Sequence, residues 1–210
     1  MLSATQLDVA RGGRTIVENV TLDADAGCVL LIHGANGSGK STLMAALAGL
    51  LPAARGDVRW RGMRLRDDPA RFRRDLAFLG HANGLSGELS VAENLRFAGL
   101  LGGALRSSPE QSVLEDAGLA GLRHVRVDRL SRGQRRRVAL ARLVLDGKPL
   151  WLLDEPTDSL DDLACVWFAA CIDTHTRHGG TVVAATHRPL ATDAARTRHL
   201  HFARSAPCCA

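Results

Sequence analysis

The chain has 210 residues, of which 46% are hydrophobic and 23% charged, and its formal net charge is +5. These fractions are ordinary for a globular protein with a substantial core, and no stretch approaches the roughly 18–20 uninterrupted apolar residues of a membrane-spanning helix. The first residues lack the basic and apolar segments of a secretory signal, and the five cysteines lack zinc-binding or CxxC spacing. We therefore expect one domain, in the cytosol or on the cytosolic face of a membrane.

The first 81 residues predict strands interrupted by one helix. Short apolar runs alternate with turns up to residue 32, which is typical of an antiparallel β lobe that leads into a buried strand. A glycine-rich loop follows, and Pro52 and Gly56 end the helix behind it. The elements expected here are short runs at Gln6–Val9 and Ile16–Leu22, strand Cys28–Ile32, helix Ser41–Leu51, and strands Val58–Leu65 and Leu76–Leu79.

Beyond residue 81 the pattern is helical at first and then alternates between strands and helices. The expected elements are helices Val91–Leu101, Pro109–Ala117 and Gln134–Leu145, strand Leu150–Leu153, helix Leu160–Thr176, strand Thr181–Ala185 and a short tail. Such alternation with apolar central strands predicts a parallel sheet covered on both faces. We expect a single α/β domain over residues 1–210, in which residues 82–141 form a helical subdomain inserted between residues 1–81 and 142–210.

A phosphate-binding loop is predicted at residues 34–41, which lie between a strand and a helix. Its glycines let the backbone adopt positive φ and approach an anion, and the helix that follows adds its dipole. In such a loop Lys40 reaches the β and γ phosphates of a nucleotide, the Ser41 hydroxyl binds Mg²⁺, and Thr42 contacts the α phosphate. The residues expected to bind the nucleotide are Gly34, Ala35, Asn36, Gly37, Ser38, Gly39, Lys40, Ser41 and Thr42.

Two acidic residues follow the apolar strand at residues 150–153. Asp154 is placed to hold Mg²⁺ through its water shell. Glu155 is the candidate general base, which orients and deprotonates an attacking water. Because Lys40, Asp154, Glu155 and His187 are all present, the site is expected to be catalytic, not degenerate.

The signature run, Leu130–Gln134, reads Leu-Ser-Arg-Gly-Gln and lies between the phosphate loop and the two acids. With these motifs in this order the chain resembles the ATP-binding cassette (ABC) ATPases. The resemblance implies a P-loop NTPase fold with an N-terminal antiparallel β lobe and an inserted helical subdomain, ATP and Mg²⁺ as ligands, and an ATP-dependent homodimer. It assigns contacts with the ATP of a second copy to Ser131, Gly133 and Gln134, places Asp161 at the dimer seam, and puts the catalytic His187 on the γ phosphate.

Three positions depart from the usual ABC pattern. Arg11 stands where an aromatic residue normally stacks on the adenine, and the chain has no tyrosine. A guanidinium can also stack on a base, but it desolvates less of the ring, so we expect weaker base selectivity. His81 replaces the glutamine beside the metal, and its neutral imidazole can accept a hydrogen bond from a metal-bound water. Arg132 replaces a common glycine in the signature run, and we expect nucleotide binding to tolerate it.

Several longer segments resemble one group within the ABC ATPases, the CcmA-type subunits of the cytochrome c maturation haem exporter. These segments are Phe78–Leu85, Leu89–Leu95, Ala117–Leu122, Gln134–Leu143, Pro149–Pro156 and Thr186–Leu190. The resemblance implies a peripheral subunit on the cytoplasmic face of a bacterial inner membrane, working with a CcmB-type membrane subunit and CcmC/CcmD-type haem-handling proteins. His33, His124 and His199 lack sequence partners that suggest axial ligation, so haem recognition is expected to lie in those partners.

Two other functions remain open on the sequence alone. The chain could serve another small ABC transporter, for a drug, a lipid or an ion, because cassette sequences report poorly on cargo. A soluble nucleic-acid-associated ABC ATPase is disfavoured, because such proteins carry a long coiled-coil insertion or two cassettes. The positive net charge permits nucleic acid or an anionic membrane surface as a partner but requires neither. The Arg135–Arg137 run is typical of a solvated helix face.

Overall fold

The computed structural model describes residues 1–102 and 110–202. The predicted helix Pro109–Ala117 therefore begins at a residue outside the described part, and the helix observed there is Glu110–Asp116. The terminal pair Cys208 and Cys209 also lies outside it. Among the described residues, no helix is both long and apolar enough to cross a membrane.

An antiparallel sheet forms the first layer of the fold, with strand order β2-β1-β4-β5. Its strands are β1 (Leu2–Arg11), β2 (Arg14–Ala24), β4 (Arg55–Trp60) and β5 (Met63–Arg64). β1 buries Leu2, Leu7 and Val9 completely and exposes much of its other face, as expected of a strand packed on one side. The prediction of one continuous strand at Val58–Leu65 is wrong, because Arg61 and Gly62 adopt φ of 50° and 82° and fold the segment into a hairpin.

The second layer is a five-stranded parallel sheet with strand order β6-β7-β8-β3-β9. Its strands are β3 (Val29–His33), β6 (Leu76–Leu79), β7 (Leu150–Asp154), β8 (Thr181–Ala185) and β9 (Thr197–His201). Every residue of β7 and β8 is buried, which explains their continuous apolar runs. β9 lies in the segment that the sequence predicts only as a short tail. Its sequence is polar because it is a half-exposed edge strand, and only its pairing with β3 makes it a strand.

Helices cover the parallel sheet and bring the site residues to its carboxyl edge. They are α1 (Lys40–Leu47), α2 (Pro69–Asp75), α5 (Arg132–Asp146) and α6 (Asp162–Arg177). α1 buries Leu43, Met44 and Leu47 in the cluster that joins the two sheets. It ends before the predicted Leu51, because Gly49 adopts φ of 71°. The parallel sheet and its helices confirm the predicted α/β class.

The inserted helical region contains α3 (Val91–Gly102), α4 (Glu110–Asp116) and the first part of α5. These helices enclose their own hydrophobic cluster around Leu114, Leu119 and Val138. α5 also contributes Leu140 to the cluster beneath the parallel sheet. One rigid helix therefore belongs to both hydrophobic cores and connects the signature run to the sheet.

Candidate nucleotide-binding site

The phosphate loop runs from the end of β3 into α1, and its glycines are required by their surroundings. Gly37 and Gly39 adopt φ of 76° and 106°, in the region that L side chains rarely occupy. A Cβ on Gly39 would lie 3.0 Å from Cγ2 of Ile16, and a Cβ on Gly34 would lie 2.4 Å from the carbonyl oxygen of Phe202. The loop is thus held between β2 and the chain that leaves β9.

Lys40 lies inside this loop with only 6% of its surface exposed. Its Nζ donates to the carbonyl oxygens of Gly34, at 2.7 Å, and Ala35, at 3.1 Å. Within residues 1–102 and 110–202 no carboxylate is hydrogen-bonded to the ammonium group, and its partners there are two backbone carbonyl groups. An anion placed in the loop would meet this buried positive charge.

Asp154 ends β7 and is buried, and its Oδ1 has no hydrogen-bond partner in the part of the chain that the structure describes. Burial raises the pKa of this carboxyl, while a hydrogen bond from the Ser41 hydroxyl lowers it. Among the described residues no three His, Cys, Asp or Glu side chains group so as to hold a metal ion by themselves. A carboxylate and a hydroxyl beside a phosphate loop nevertheless fit Mg²⁺, which is usually bound by one or two carboxylates together with substrate phosphates.

Glu155 follows with φ of 47°, an unusual conformation for a non-glycine residue and typical of functional sites. Its amide donates to the carbonyl oxygen of Ala185 at 2.8 Å. Its Oε2 accepts from the His187 amide at 3.2 Å and lies 2.8 Å from His187 Nδ1. Because an ionised carboxylate only accepts, Nδ1 carries the hydrogen and Nε2 of the imidazole is left for another partner.

The phosphate loop, Glu155 and His187 face one cleft with a volume of about 440 Å³, and Asp154 lies behind it, hydrogen-bonded to Ser41. The cleft is lined by Ile16, Asn36, Gly37, Gly39, Lys40, Ser41, Thr42, His81, Glu155, Asp158 and His187. The structure therefore brings together the phosphate loop, the candidate base, His81 and His187, which are far apart in the sequence. Ile16 and Asp158 were not anticipated, because no motif marks them and only the packing of β2 and of the segment after β7 places them there.

The signature run lies outside this cleft, at the start of α5. Ser131 caps the helix: its Oγ accepts from the Gln134 amide at 3.2 Å, and Gln134 Oε1 accepts from the Ser131 amide at 2.8 Å. This capping box starts α5 at Arg132, two residues before the predicted start. A Cβ on Gly133 would lie 2.7 Å from the Ser159 carbonyl oxygen, so the signature run packs against the segment that precedes α6.

The remaining predicted residues also have defined positions. Asp161 caps α6 by accepting from the Ala164 amide at 2.9 Å, and Arg132 forms an ion pair with Asp158 at 2.7 Å. None of Ser131, Gly133, Gln134 and Asp161 lines the cleft of its own chain.

Comparison with known proteins agrees with this geometry. The family model described as "ABC transporter" matches residues 17–158. The "Cytochrome c biogenesis ATP-binding export protein CcmA" of Paraburkholderia xenovorans (strain LB400) is 52% identical over 98% of this chain and 98% of its own. The protein of the same name in Dechloromonas aromatica (strain RCB) is 40% identical over 96% of this chain and 100% of its own. The chain belongs to the CcmA group of ABC ATPases.

Solved structures of ATP-binding subunits and cassettes share the fold of this chain. An ATP-binding subunit of an ABC transporter superposes with a TM-score of 0.85 at 26% identity, covering 97% of this chain and 86% of that one. A dimeric ATP-binding cassette bound to ADP and phosphate superposes with a TM-score of 0.81 at 24% identity, over 97% of this chain and 95% of that one. These likenesses confirm the predicted nucleotide-binding domain with its β lobe and helical subdomain.

Arg11, the expected adenine contact, lies at the exposed end of β1, next to the Gly12-Gly13 turn. It is not among the residues that line the cleft of the ABC ATPase, whereas Ile16 of β2 is. A base contact by Arg11 therefore stays a prediction.

The interpretation of Arg135–Arg137 as a solvated face is wrong for its middle residue. Arg135 is exposed, but Arg136 is only 4% exposed and its guanidinium lies beneath the ends of β6 and β7. Because position 136 points inward on α5, the helical period alone could have suggested burial, but the charge argued against it.

His33 and His199, for which the sequence shows no partner that suggests axial ligation, contact each other. His33 Nε2 lies 2.8 Å from His199 Nδ1, and the His33 ring stacks on the rings of His199 and His201. Burial lowers the pKa of His33, and the neighbouring histidines and Lys40 lower it further. This cluster depends on β9, which the sequence did not predict.

Proposed function

We propose that the chain is the ATPase subunit of an inner-membrane complex that exports or delivers haem for c-type cytochrome biogenesis. The observation that carries this proposal is the convergence of Lys40, Ser41 and the Glu155–His187 pair on one cleft, in a chain 52% identical over nearly its full length to a CcmA protein. Asp154 lies behind the cleft and is hydrogen-bonded to Ser41. The cleft supports ATP hydrolysis, and the similarity supports the cytochrome c pathway.

In this proposal the phosphate loop binds the triphosphate through its amides, and Lys40 exchanges its carbonyl contacts for the β and γ phosphates. Asp154 and Ser41 would hold Mg²⁺, with His81 beside them. When bound, the ion would supply positive charge that offsets the negative charge of the phosphates.

Glu155 acts as the general base on the attacking water, a role worth roughly 10²–10⁴-fold in rate. His187 donates from Nδ1 to Glu155 and thereby directs its Nε2 toward the γ phosphate. The amide of His187 donates to the same carboxylate oxygen. Two donors from one residue thus fix the orientation of the base before substrate arrives.

The signature run is proposed to act on a second copy of the chain. The Ser131 hydroxyl accepts a hydrogen bond within its own helix and keeps its hydrogen for another acceptor. We assign that acceptor to the γ phosphate of the partner's ATP, together with the Gly133 amide, Gln134 beside them, and Asp161 at the seam. Hydrogen bonds to charged groups are worth about 1.5–3 kcal/mol each, so ATP stabilises the dimer and hydrolysis releases it.

The membrane partners are proposed to be a CcmB-type subunit and CcmC/CcmD-type haem-handling proteins, on the cytoplasmic face of the bacterial inner membrane. In this scheme the ABC ATPase supplies the energy of ATP hydrolysis, and its partners recognise haem.

Deletion of the gene tests the proposed function. We expect c-type cytochromes to lose covalently bound haem, detected by haem staining of denaturing gels, while b-type cytochromes keep their absorption spectrum. Re-introducing the wild-type gene should restore the c-type signal, and the Glu155→Gln gene should not. Normal c-type cytochromes in the deletion strain would contradict the haem assignment and point to another transported compound.

A further inference from the structure

The guanidinium of Arg136 makes as many hydrogen bonds as it has N–H donors. Nε donates to the Pro156 carbonyl at 3.1 Å. Nη1 donates at 3.0 Å both to the Gly80 carbonyl and to Asn83 Oδ1. Nη2 donates to the Asp154 and Glu155 carbonyls, at 2.9 and 2.6 Å. Every acceptor is a neutral carbonyl or amide oxygen, so the guanidinium is held by directed hydrogen bonds and not by an ion pair.

A buried charge without a hydrogen-bonded carboxylate is a poor source of stability. Burial lowers the pKa of Arg136, although the nearby carboxylates of Asp158 and Asp154 oppose that shift. An apolar side chain could fill this space without desolvating a charge. What an apolar side chain cannot do is hold three successive carbonyl groups, those of residues 154–156, in fixed directions.

Those three carbonyls belong to the turn in which Glu155 adopts φ of 47°. On one side of the turn, the Glu155 amide is fixed by the Ala185 carbonyl of β8. On the other side, the Glu155 carbonyl accepts from Arg136 at the shortest of the five distances. The strained backbone of Glu155 is therefore clamped between β8 and α5, and the direction of its side chain depends on both contacts.

We propose that Arg136 is a positioning residue for the general base: it holds the main chain of residues 154–156 so that the Glu155 carboxylate meets the attacking water. This inference rests on the catalytic role proposed for Glu155. A misplacement of about 1 Å in a reacting group costs on the order of 100-fold in rate. Loss of Arg136 should therefore lower kcat much more than it changes the affinity for ATP, which is bound mainly by the phosphate loop.

Arg142 provides a matched control on the same helix. Its guanidinium is also partly buried and donates to the carbonyls of Asn83 and Gly84, in the same connection that Arg136 reaches through Gly80 and Asn83. No hydrogen bond joins Arg142 to residues 154–156 among the described contacts. Arg142→Met therefore removes a partly buried arginine and its anchoring of residues 83–84, but leaves the Glu155 turn intact.

The test compares Arg136→Met, Arg136→Lys and Arg142→Met with wild type, in the full-length chain with its native membrane partners. For Arg136→Met we expect kcat to fall by about 10- to 100-fold with KM for ATP changed less than about threefold. Arg136→Lys should recover only part of the rate, because one ammonium cannot replace the planar fork. Arg142→Met should keep kcat within about threefold of wild type. Thermal unfolding measured in parallel shows which variants fold. If Arg136→Met does not fold, Arg136→Lys takes its place in the comparison with wild type.

A double substitution distinguishes positioning of Glu155 from general damage. If Arg136 acts through Glu155, Arg136→Met added to Glu155→Gln leaves the residual turnover unchanged within about twofold. An equal loss in both backgrounds, or an Arg136→Met variant with wild-type kcat, would overturn the positioning role while leaving the proposed function standing. A wild-type complex that binds ATP without hydrolysing it would instead overturn the proposed function, and the positioning role with it.

Discussion

The cleft and the signature run are two parts of the site built in opposite ways. In the cleft, Lys40 is almost completely buried, as is Asp154 behind it, and Glu155 is bonded to His187. At the signature run, Ser131 is exposed and the side chain of Arg132 is 72% exposed. The polar groups of Ser131 and Gln134 are bonded to each other in a helix cap.

This difference indicates which part of the site one chain can complete. The cleft is assembled by the hydrophobic core, because it lies where parallel strands end and buried helices begin. The signature run is assembled by local capping, and Ser131, Gly133 and Gln134 do not line the cleft of their own chain. We interpret the first as the catalytic part and the second as a surface that needs a second copy.

The largest expected effect belongs to the cleft. Glu155→Gln keeps an oxygen that can accept from His187 but removes the base, so we expect turnover to fall by about 10²–10⁴-fold. Binding of ATP, followed with a fluorescent analogue, should stay within a few-fold of wild type. The exposed Glu18→Gln is a suitable control and should keep wild-type turnover. Wild-type hydrolysis by Glu155→Gln would remove Glu155 from the catalytic role.

Substitution of Ser131 separates the two roles of the signature run. Asp is as good an N-cap as Ser, so Ser131→Asp should unfold within a few degrees of wild type. Its carboxylate would face the partner's γ phosphate, so ATP-dependent dimerisation should weaken by roughly tenfold or more. Ser131→Ala should instead lose about 1 kcal/mol of stability through the missing cap, measured by urea unfolding. Unchanged dimerisation in Ser131→Asp would limit Ser131 to a capping role.

The next largest effect is the pH dependence of the stability of the fold, to which His175 contributes. His175 stacks on Trp151 at the start of β7, with ring centroids 3.9 Å apart, and burial lowers its pKa to about 4. The unfolded chain, with an ordinary histidine pKa near 6.5, takes up the proton first, so stability falls as the pH decreases from about 7 towards 4. We expect a loss of about 1 kcal/mol between pH 7 and pH 5, because the partly exposed ring is screened by water.

The control for this pH dependence is His175→Phe, which keeps a ring on Trp151 but cannot take up a proton. Urea unfolding of this variant should lose less stability between pH 7 and pH 5 than wild type does. An identical pH dependence in the two proteins would assign the effect to other groups.

The smallest expected effect concerns Arg11. A cation on an aromatic ring contributes about 0.5–1 kcal/mol at an exposed site, so Arg11→Tyr should change the ratio of ATP to GTP turnover by roughly two- to fivefold. We expect the ratio to rise, because a tyrosine ring desolvates more of the base. If the ratio is unchanged, the base lies elsewhere, and Ile16 becomes the residue to substitute next.

The sequence predicted the parts of the molecule that local patterns encode. The phosphate loop and strands β7 and β8 follow from the glycine spacing and from continuous apolar runs. The prediction failed where tertiary contacts alone determine the structure. β9 is polar and becomes a strand by pairing with β3. Arg136 is charged, but it can be buried because backbone carbonyls accept its hydrogen bonds. The His33–His199 contact was missed for the same reason, because it requires β9.

The central claim, that the signature run completes a site on a second copy, is tested most directly by light scattering of purified Glu155→Gln. With saturating ATP and Mg²⁺ we expect its mass to double from one chain to two, and to stay at one chain without nucleotide. The same protein carrying Ser131→Asp should stay at one chain under both conditions. A Glu155→Gln chain that binds ATP fully yet keeps the mass of one chain would contradict the account.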